Sequence, residues 1–520
     1  MKRTISVFPI LIILGIFLLS VLVRIPNINR PLSKHHEFVT AVSLRVLDIW
    51  STEGAMKYGF NPVMNYPGEA NKNINNWAST TGEMIDKEGN YYYVSHPPLA
   101  YILPHIFFKI LHIPPSVLSL QVFHLLVNLI CAIFIYLIVC LLGQQKPFAR
   151  TYWSGMVGVS VYIFSQGVLW FQCNTYMSDM LVQLFFVLNV YTILKLLMRK
   201  RFFSPKYLVH YAFFLFLMIY TSWLGIFFAF SVFLYSFIKL RKTKVYIPIN
   251  LITLFVSIAA VSLFVFQYSQ IAGFDNYLNQ MLNRMSERGG LADVNGLSNK
   301  LKQIPRGLIH LLKGYIASYL PLFMLLGSFI YLTLSKAKLR IVFTKNGYRF
   351  LWLSTLPVVL LHVFLLNYSG HDFVSLYGSL FLSVLIAILF DKLKKSQTLS
   401  NFQLRLGIAF VIFTSIASYY YINRPGSISL RGDQYAQSKL LGESIKEQAE
   451  PNAVIFIQGK ISVDPQLIHY AKRNILKVSN KEEAVHFLQA HDLQKGQLYR
   501  YDLNLPFEFS QIIEIQKDSY

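Results

Sequence analysis

The sequence is poor in charge and in cysteine. Only 14% of its 520 residues are charged, whereas soluble proteins carry charge at about a quarter of their positions. Among its three cysteines, Cys131 and Cys140 share one apolar segment and would lie about 13 Å apart on a helix, too far for a disulfide. Cys173 has no obvious partner. These shortages exclude an ordinary soluble domain, a disulfide framework and a cysteine metal site, and they indicate a membrane protein.

The sequence contains many long hydrophobic runs. Residues 5–23 follow Lys2 and Arg3 but have no small-residue cleavage site, so we interpret them as an uncleaved first span rather than a signal peptide. Residues 99–113 are short and interrupted by Pro104, which favours a helix on the membrane surface. Judged against the roughly 20 residues that cross hydrocarbon, eleven spans are predicted: 5–23, 117–142, 151–171, 177–197, 207–222, 223–239, 245–271, 315–334, 350–366, 373–390 and 406–421.

Acidic residues are nearly missing from alternate loops. With a cytoplasmic amino terminus, the six inner segments contain 22 Lys and Arg against one acid, Asp391, and the rest of the chain is close to balance at 26 basic and 24 acidic residues. This is the positive-inside asymmetry of membrane proteins. The net charge of +23 therefore reflects topology, and we expect no nucleic-acid partner.

Three long segments then lie outside the membrane: 24–116, 272–314 and a tail from 422. The tail alternates strand-like stretches at 453–457 and 497–501 with helical ones at 437–448 and 481–490. We therefore predict an all-α polytopic membrane domain at 1–421, with extracytoplasmic juxtamembrane helices, and a small extracytoplasmic α/β domain at 422–520.

Glu37 follows the first span at the start of a helical pattern. A carboxylate at a helix start beside His36 can stay ionised while partly desolvated, which suits a general base. The alternative is a helix cap that pairs with Lys34.

Further ionisable groups fall at the outer ends of other spans. His96 precedes the Pro97-Pro98 pair that begins the surface helix, Asp179 begins the fourth span, and His371 and Asp372 lie in the turn before the tenth span. Such residues suit substrate binding or the lining of a polar cavity. A structural histidine and a helix cap are the alternatives for His96 and Asp179.

The segment 272–314 has a local basic excess. Arg284, Arg288 and Arg306 could hold a phosphate leaving group, although basic side chains at this depth also extend to anionic lipid.

Taken together, these motifs resemble membrane glycosyltransferases of the C-type fold, in the branch of protein O-mannosyltransferases and lipid A aminoarabinose transferases. The resemblance rests on His36-Glu37 after the first span, Ser95-His96-Pro97-Pro98-Leu99, Asp179, and His371-Asp372-Phe373. This chain departs from the family in having His36 where an Asp is common and His96 where a Lys or an acid is common, so the acid–base role transfers only to Glu37.

The resemblance implies a polyprenyl-phosphate sugar donor, an acceptor that is a lipid, glycan or protein, and a single inverting displacement. Glu37 would be the general base, with Asp179 and His36 as further catalytic candidates. His96, His371, Asp372, Arg284, Arg288 and Arg306 would bind substrate. No cofactor is firmly implied, and a divalent cation is an open option.

Two other classes stay open, namely a lipid-linked saccharide ligase or polymerase and a transporter or flippase. A ligase is expected to rely on arginines and a histidine in its outer loops, and a transporter on charged or broken helices at mid-membrane. For all three classes the sequence indicates a multi-pass protein of a plasma membrane, of the bacterial inner-membrane type, in contact with membrane lipids.

The charge asymmetry predicts a cytoplasmic amino terminus and an extracytoplasmic tail. A reporter that is active only outside the cytoplasm should therefore be active when it is fused after Tyr520. A fusion active only as a cytoplasmic reporter would overturn the topology and, with it, the outer location of every candidate residue.

Overall fold

The fold was analysed in a computed structural model, which describes residues 7–32, 36–75, 82–145, 148, 152–198, 205–240, 246–290, 297–335, 344–397, 399–422, 432–501 and 508–514. Contacts divide the chain into two compact units. The first unit is Met1–Ile28, Gln121–Phe264 and Met285–Ile422, and the second unit is Asn29–Leu120, Val265–Arg284 and Asn423–Tyr520.

Helices dominate the described residues. In chain order they are α1 (Phe8–Arg24), α2 (Glu37–Glu53), α3 (Leu99–Leu111), α4 (Val117–Leu142), α5 (Trp153–Phe164), α6 (Gln166–Phe171), α7 (Ser178–Met198), α8 (Pro205–Ile219), α9 (Leu224–Leu240), α10 (Ile247–Ala272), α11 (Phe274–Gly289), α12 (Leu297–Ser335), α13 (Lys345–Phe364), α14 (Gly378–Lys395), α15 (Asn401–Ile422), α16 (Gly432–Gln448), α17 (Pro465–Ala471) and α18 (Lys481–Ala490). The strands are β1 (Glu83–Ile85), β2 (Tyr91–Tyr93), β3 (Val454–Gly459), β4 (Ile475–Lys477), β5 (Lys495–Tyr501) and β6 (Glu508–Glu514).

The predicted polytopic all-α architecture is confirmed. Within the described ranges, eight helices are long and apolar enough to cross a membrane, and they coincide with eight of the eleven predicted spans. The other three predicted spans fall on shorter helices, namely α5 with α6, α8, and α9. The predicted surface helix is α3, whose 13 residues measure about 20 Å and are too short to span hydrocarbon.

The core of the first unit lies where α12, α14 and α15 pack together. Leu322, Ile386, Phe390 and Val411 are among the buried side chains at this contact. Arg24 at the end of α1 is fully buried in the same unit. Its guanidinium donates hydrogen bonds to the carbonyl oxygen of Leu169 at 3.0 Å and to Ser20 Oγ at 2.7 Å. These bonds satisfy a guanidinium whose burial would otherwise be costly.

The described part of the tail has the predicted mixture of helices and strands, and it belongs to the second unit together with Asn29–Leu120 and Val265–Arg284. Its four strands are ordered β4-β3-β5-β6, with β3 parallel to β4 and β5, and with β6 antiparallel to β5. Parallel neighbours need crossover connections, which α17 and α18 supply. Phe456, Leu488 and Leu498 lie in its core, which also takes in Ala70 and Ile74 from the outer segment.

A short hairpin in the outer segment was not predicted from the sequence. Strand β1 pairs antiparallel with β2, and the Asp86 side chain closes the turn by accepting from the backbone N–H groups of Glu88 and Asn90 at 2.9 Å. Such side-chain acceptance is how Asp favours turns. The hairpin carries Glu83 on one strand and leads from the other into Ser95 and His96.

Candidate active site

Glu37 lies in the first turn of α2 and is almost completely buried, with 1% of its surface exposed. Its carboxylate accepts two hydrogen bonds from Arg30, from Nη2 to Oε1 at 2.7 Å and from Nη1 to Oε2 at 3.0 Å. Paired, forked geometry of this kind is the strongest common form of a charge-assisted hydrogen bond. The pair balances the charge of the Glu37 carboxylate and fixes its orientation.

His36 immediately precedes α2 and adopts a left-handed backbone conformation, with φ of 59°. Few residues other than glycine do so, and the turn directs the chain into the helix. The His36 ring lies 5.7 Å from the ring of Phe38. Lys34, the ion-pair partner in the capping alternative, lies outside the described residues.

Ser95, the residue before His96, and Arg284 both lie against Gly82 in the second unit. The carbonyl oxygen of His96 accepts a hydrogen bond from the Tyr268 hydroxyl at 2.6 Å, and the Gly82 N–H donates to Gln280 Oε1 at 3.2 Å. Gly82 has φ of +76°, and the space where a side chain would start is filled by Ser95 and by Arg284. Helix α11 therefore packs closely on the hairpin, and Arg284 is 9% exposed.

A buried acid, Glu83, feels the charges of Arg45 of α2 and Arg284 of α11. Burial raises the pKa of Glu83 to about 8, against the opposing effects of the Asn75 amide and the two guanidinium groups. Arg45 is itself fully buried and donates to the carbonyl oxygen of Met64 at 3.3 Å. At neutral pH this cluster carries two cations around a carboxyl group that is mostly protonated, so it has a net positive charge.

Asp179 is the centre of a polar cluster in the first unit. At the start of α7, its carboxylate accepts a hydrogen bond from the Tyr368 hydroxyl at 2.6 Å, and another from the Tyr377 hydroxyl. The guanidinium carbon of Arg288 lies 4.4 Å from the centre of the Tyr368 ring, a cation–π contact. The candidates Asp179 and Arg288 are thus joined through one tyrosine.

The turn before α14 contributes His371 and Asp372 to the surroundings of Tyr368. His371 is exposed, stacks on Phe373 with ring centres 5.1 Å apart, and lies 5.7 Å from the Tyr368 ring. Asp372 is half-buried beside Gly314 of α12. Arg306, by contrast, is exposed on α12.

A metal site was tested against the side chains present. Among the described residues, no group of three or more His, Cys, Asp or Glu side chains comes together to hold a metal ion, and both oxygens of Glu37 already accept from Arg30. No step below is assigned to a bound cation.

The chain has the C-type fold of the solved membrane transferases described next, so the predicted resemblance is confirmed at the level of fold. Over 94% of this chain and 92% of the other, it is similar to ArnT from Cupriavidus metallidurans bound to undecaprenyl phosphate, with a TM-score of 0.59 and 11% identity. Over 95% of this chain and 69% of the other, it is similar to the archaeal oligosaccharyltransferase AglB from Archaeoglobus fulgidus in complex with an inhibitory peptide and a dolichol-phosphate, with a TM-score of 0.53 and 11% identity. No family model matches the sequence, and a search of curated proteins finds no match.

Several residues of these clusters were missed from the sequence. Arg30 stands only seven residues before Glu37, and a buried carboxylate needs a cation, so it could have been found by asking what pairs with Glu37. Tyr368 and Tyr377 flank the His371 turn that was singled out. Glu83 and Arg45 carry no local signal, because Glu83 on the hairpin and Arg45 on α2 come together from separate parts of the chain.

The raised pKa of Glu83 predicts a pH-dependent stability. The folded state holds this proton up to about pH 8, whereas a carboxyl group with its ordinary pKa of 4.5 loses it much earlier. The folded state thus binds more protons between these values, and stability falls as pH rises through them. Glu83→Gln mimics the protonated acid, so the melting temperature of the wild type minus that of the variant should decrease from pH 5 to pH 8.5.

The control for this measurement is Glu88→Gln, at an exposed carboxylate in the same hairpin. It should show no comparable trend. A difference between wild type and Glu83→Gln that is constant over the whole pH range would contradict the buried, protonated state of Glu83.

Proposed function

We propose that this chain is an integral membrane glycosyltransferase that transfers a sugar from a polyprenyl-phosphate donor to an extracytoplasmic acceptor, in a plasma membrane of the bacterial inner-membrane type. The observation that carries the proposal is a buried, forked Arg30–Glu37 pair directly after the first span, in a chain with the C-type glycosyltransferase fold. A fold alone does not define chemistry, so the residues must supply the mechanism.

In the proposed reaction Glu37 is the general base. Its carboxylate takes the proton from an acceptor hydroxyl or amine while that oxygen or nitrogen forms a bond to the anomeric carbon. The bond from the anomeric carbon to the phosphate oxygen breaks, and polyprenyl phosphate leaves with the electron pair. Because one displacement does this, the configuration at the anomeric carbon inverts. Glu37 ends protonated beside Arg30.

The leaving phosphate requires stabilising positive charge. Arg284 lies in a cluster of net positive charge close to the segment of His96, and guanidinium groups bind phosphate oxygens through strong paired hydrogen bonds. We assign donor-phosphate binding to Arg284, with His96 beside it. Asp179, Arg288, His371 and Asp372 are proposed as substrate-orienting groups, and His36 as a second catalytic candidate beside Glu37.

The test of this function uses purified protein in nanodiscs with a panel of undecaprenyl-phosphate sugars. Release of undecaprenyl phosphate from one or more of them is the expected result. A ligase or polymerase would instead consume diphosphate-linked saccharides only, and movement of the lipid across the bilayer without bond cleavage would indicate a flippase. Either outcome would overturn the proposal.

Replacing Glu37 by Gln keeps its size and removes its basicity. General-base catalysis typically contributes about 10²–10⁴-fold, so kcat of Glu37→Gln should fall by that order while the protein still binds donor. The matched control is Glu53→Gln, at a half-buried position at the other end of the same helix where the carboxylate pairs with Lys57, and kcat should stay within about twofold. Retention of more than about a tenth of kcat by Glu37→Gln would refute the base assignment.

Arg284 and Arg306 of the segment 272–314 should differ in their effect on donor binding. Arg284→Gln is expected to raise the donor KM by about tenfold or more, the scale of a hydrogen bond to a charged group, whereas Arg306→Gln, at an exposed site, should change it less than about twofold. Saturation kinetics with the donor varied at a fixed acceptor concentration measure both. An unchanged donor KM together with a lowered melting temperature would show that Arg284 only holds the hairpin in place.

A further inference from the structure

Helix α17 of the tail packs on α2, the helix that begins with Glu37. Beyond its end, Lys472 forms an ion pair with Asp48 of α2. Asn474 then joins the outer segment through two hydrogen bonds of 2.8 Å, accepting from the backbone N–H of Tyr66 and donating its own backbone N–H to Asn71. The tail is thus fixed to the outer segment by several specific polar contacts within the second unit.

One residue of α17, Tyr470, reaches the chain that carries Arg30. The backbone N–H of Leu32 donates to the Tyr470 hydroxyl at 2.7 Å. Burial raises the pKa of Tyr470 to about 12, and the groups that face it are Glu37, Glu443 and Arg30. Tyr470 is therefore a neutral phenol beside the Arg30–Glu37 pair.

The Arg30 side chain is hydrogen-bonded to the backbone of its own segment, Arg30–Leu32. Arg30 Nη1 also donates to the carbonyl oxygen of Pro31 at 2.7 Å, so the side chain is folded back on its own backbone. Pro31 has a fixed φ and no N–H, which makes the Leu32 N–H the first backbone donor after Arg30. The hydrogen bond from the Leu32 N–H to Tyr470 therefore holds the backbone that carries the Arg30 side chain.

We propose that Tyr470 is a positioning residue for the reaction, which holds the Arg30–Leu32 segment so that Arg30 keeps the Glu37 carboxylate ionised and oriented. The inference rests on the proposed function and extends it, because it makes the tail domain part of the catalytic apparatus. Tyr470 touches neither donor nor acceptor in this role and acts through Arg30.

The test is Tyr470→Phe, which removes one oxygen atom. The Leu32 N–H loses its acceptor, and loss of one such bond corresponds to about a tenfold effect, so kcat should fall by about that factor. With Arg30 less firmly held, the charged form of Glu37 is less favoured, and the acid limb of the kcat/KM–pH profile should move to higher pH. The activity measured is release of undecaprenyl phosphate from the panel member that the wild type uses.

Lys472→Gln is the matched control, because it breaks the Lys472–Asp48 ion pair at the same contact and leaves the phenol in place. It should lower the melting temperature without moving the acid limb. If Lys472→Gln moves the limb as far as Tyr470→Phe does, docking of the tail explains the effect and the proposal is wrong. Unchanged kcat and pH profile in Tyr470→Phe would also overturn it.

Arg30→Lys tests whether Tyr470 acts through Arg30. It also provides a second measurement in case Tyr470→Phe folds poorly. A lysine cannot make the forked pair, so this variant should show the same shift of the acid limb. The double variant should lose no more activity than Arg30→Lys alone, since coupled residues are not additive. If the loss of activity in the double variant equals the product of the two single losses, Arg30 and Tyr470 have independent roles.

Glu37→Gln, measured in parallel, separates the two proposals. If Glu37→Gln loses activity and Tyr470→Phe does not, the positioning role alone fails. If Glu37→Gln keeps its activity, the base assignment fails and the positioning role fails with it.

Discussion

Placing a carboxyl group where water cannot reach it is costly unless its charge is balanced or removed, and three acids of this chain meet that constraint in three ways. Glu37 is balanced by the forked guanidinium of Arg30. Asp179 accepts hydrogen bonds from two tyrosine hydroxyls. Glu83 is kept protonated by burial. Within the second unit these contacts fix Glu37 on Arg30, and within the first unit they fix α7 on Tyr368 and Tyr377. Of the three acids, Glu37 is the one held in a forked ion pair.

The membrane part of the fold could be predicted from the sequence because its signals are local. An apolar run long enough to span and the Pro97-Pro98 start of α3 need no knowledge of distant residues. In the tail, β3, β5, α16 and α18 were likewise visible from their own periodicity, whereas β4, β6 and α17 were not. Helix ends were harder to predict. The segments of α5, α8 and α9 were predicted as spans from their apolar composition, but composition does not determine where a helix ends.

The partners of the candidate residues were harder to predict, because they depend on contacts between distant parts of the chain. Glu37, Asp179 and His96 could be singled out from their positions at span ends and before a rigid Pro-Pro start. That Tyr368 would bond to Asp179, that Arg284 would fill the space beside Gly82, and that Tyr470 would meet Leu32 follows only from the packing of whole elements. Such pairings leave no periodic pattern in the sequence.

The contact between Leu32 and Tyr470 joins residues 438 positions apart, and this has a consequence for biosynthesis. At typical elongation rates of about 5–20 residues per second, the helix of Glu37 exists for roughly 20–90 s before its partner has been made. During that interval the Leu32 N–H has no Tyr470 hydroxyl to bond to. The contact therefore forms only after the last candidate span, Asn401–Ile422, has been translated, and a chain that stalls before residue 470 lacks it.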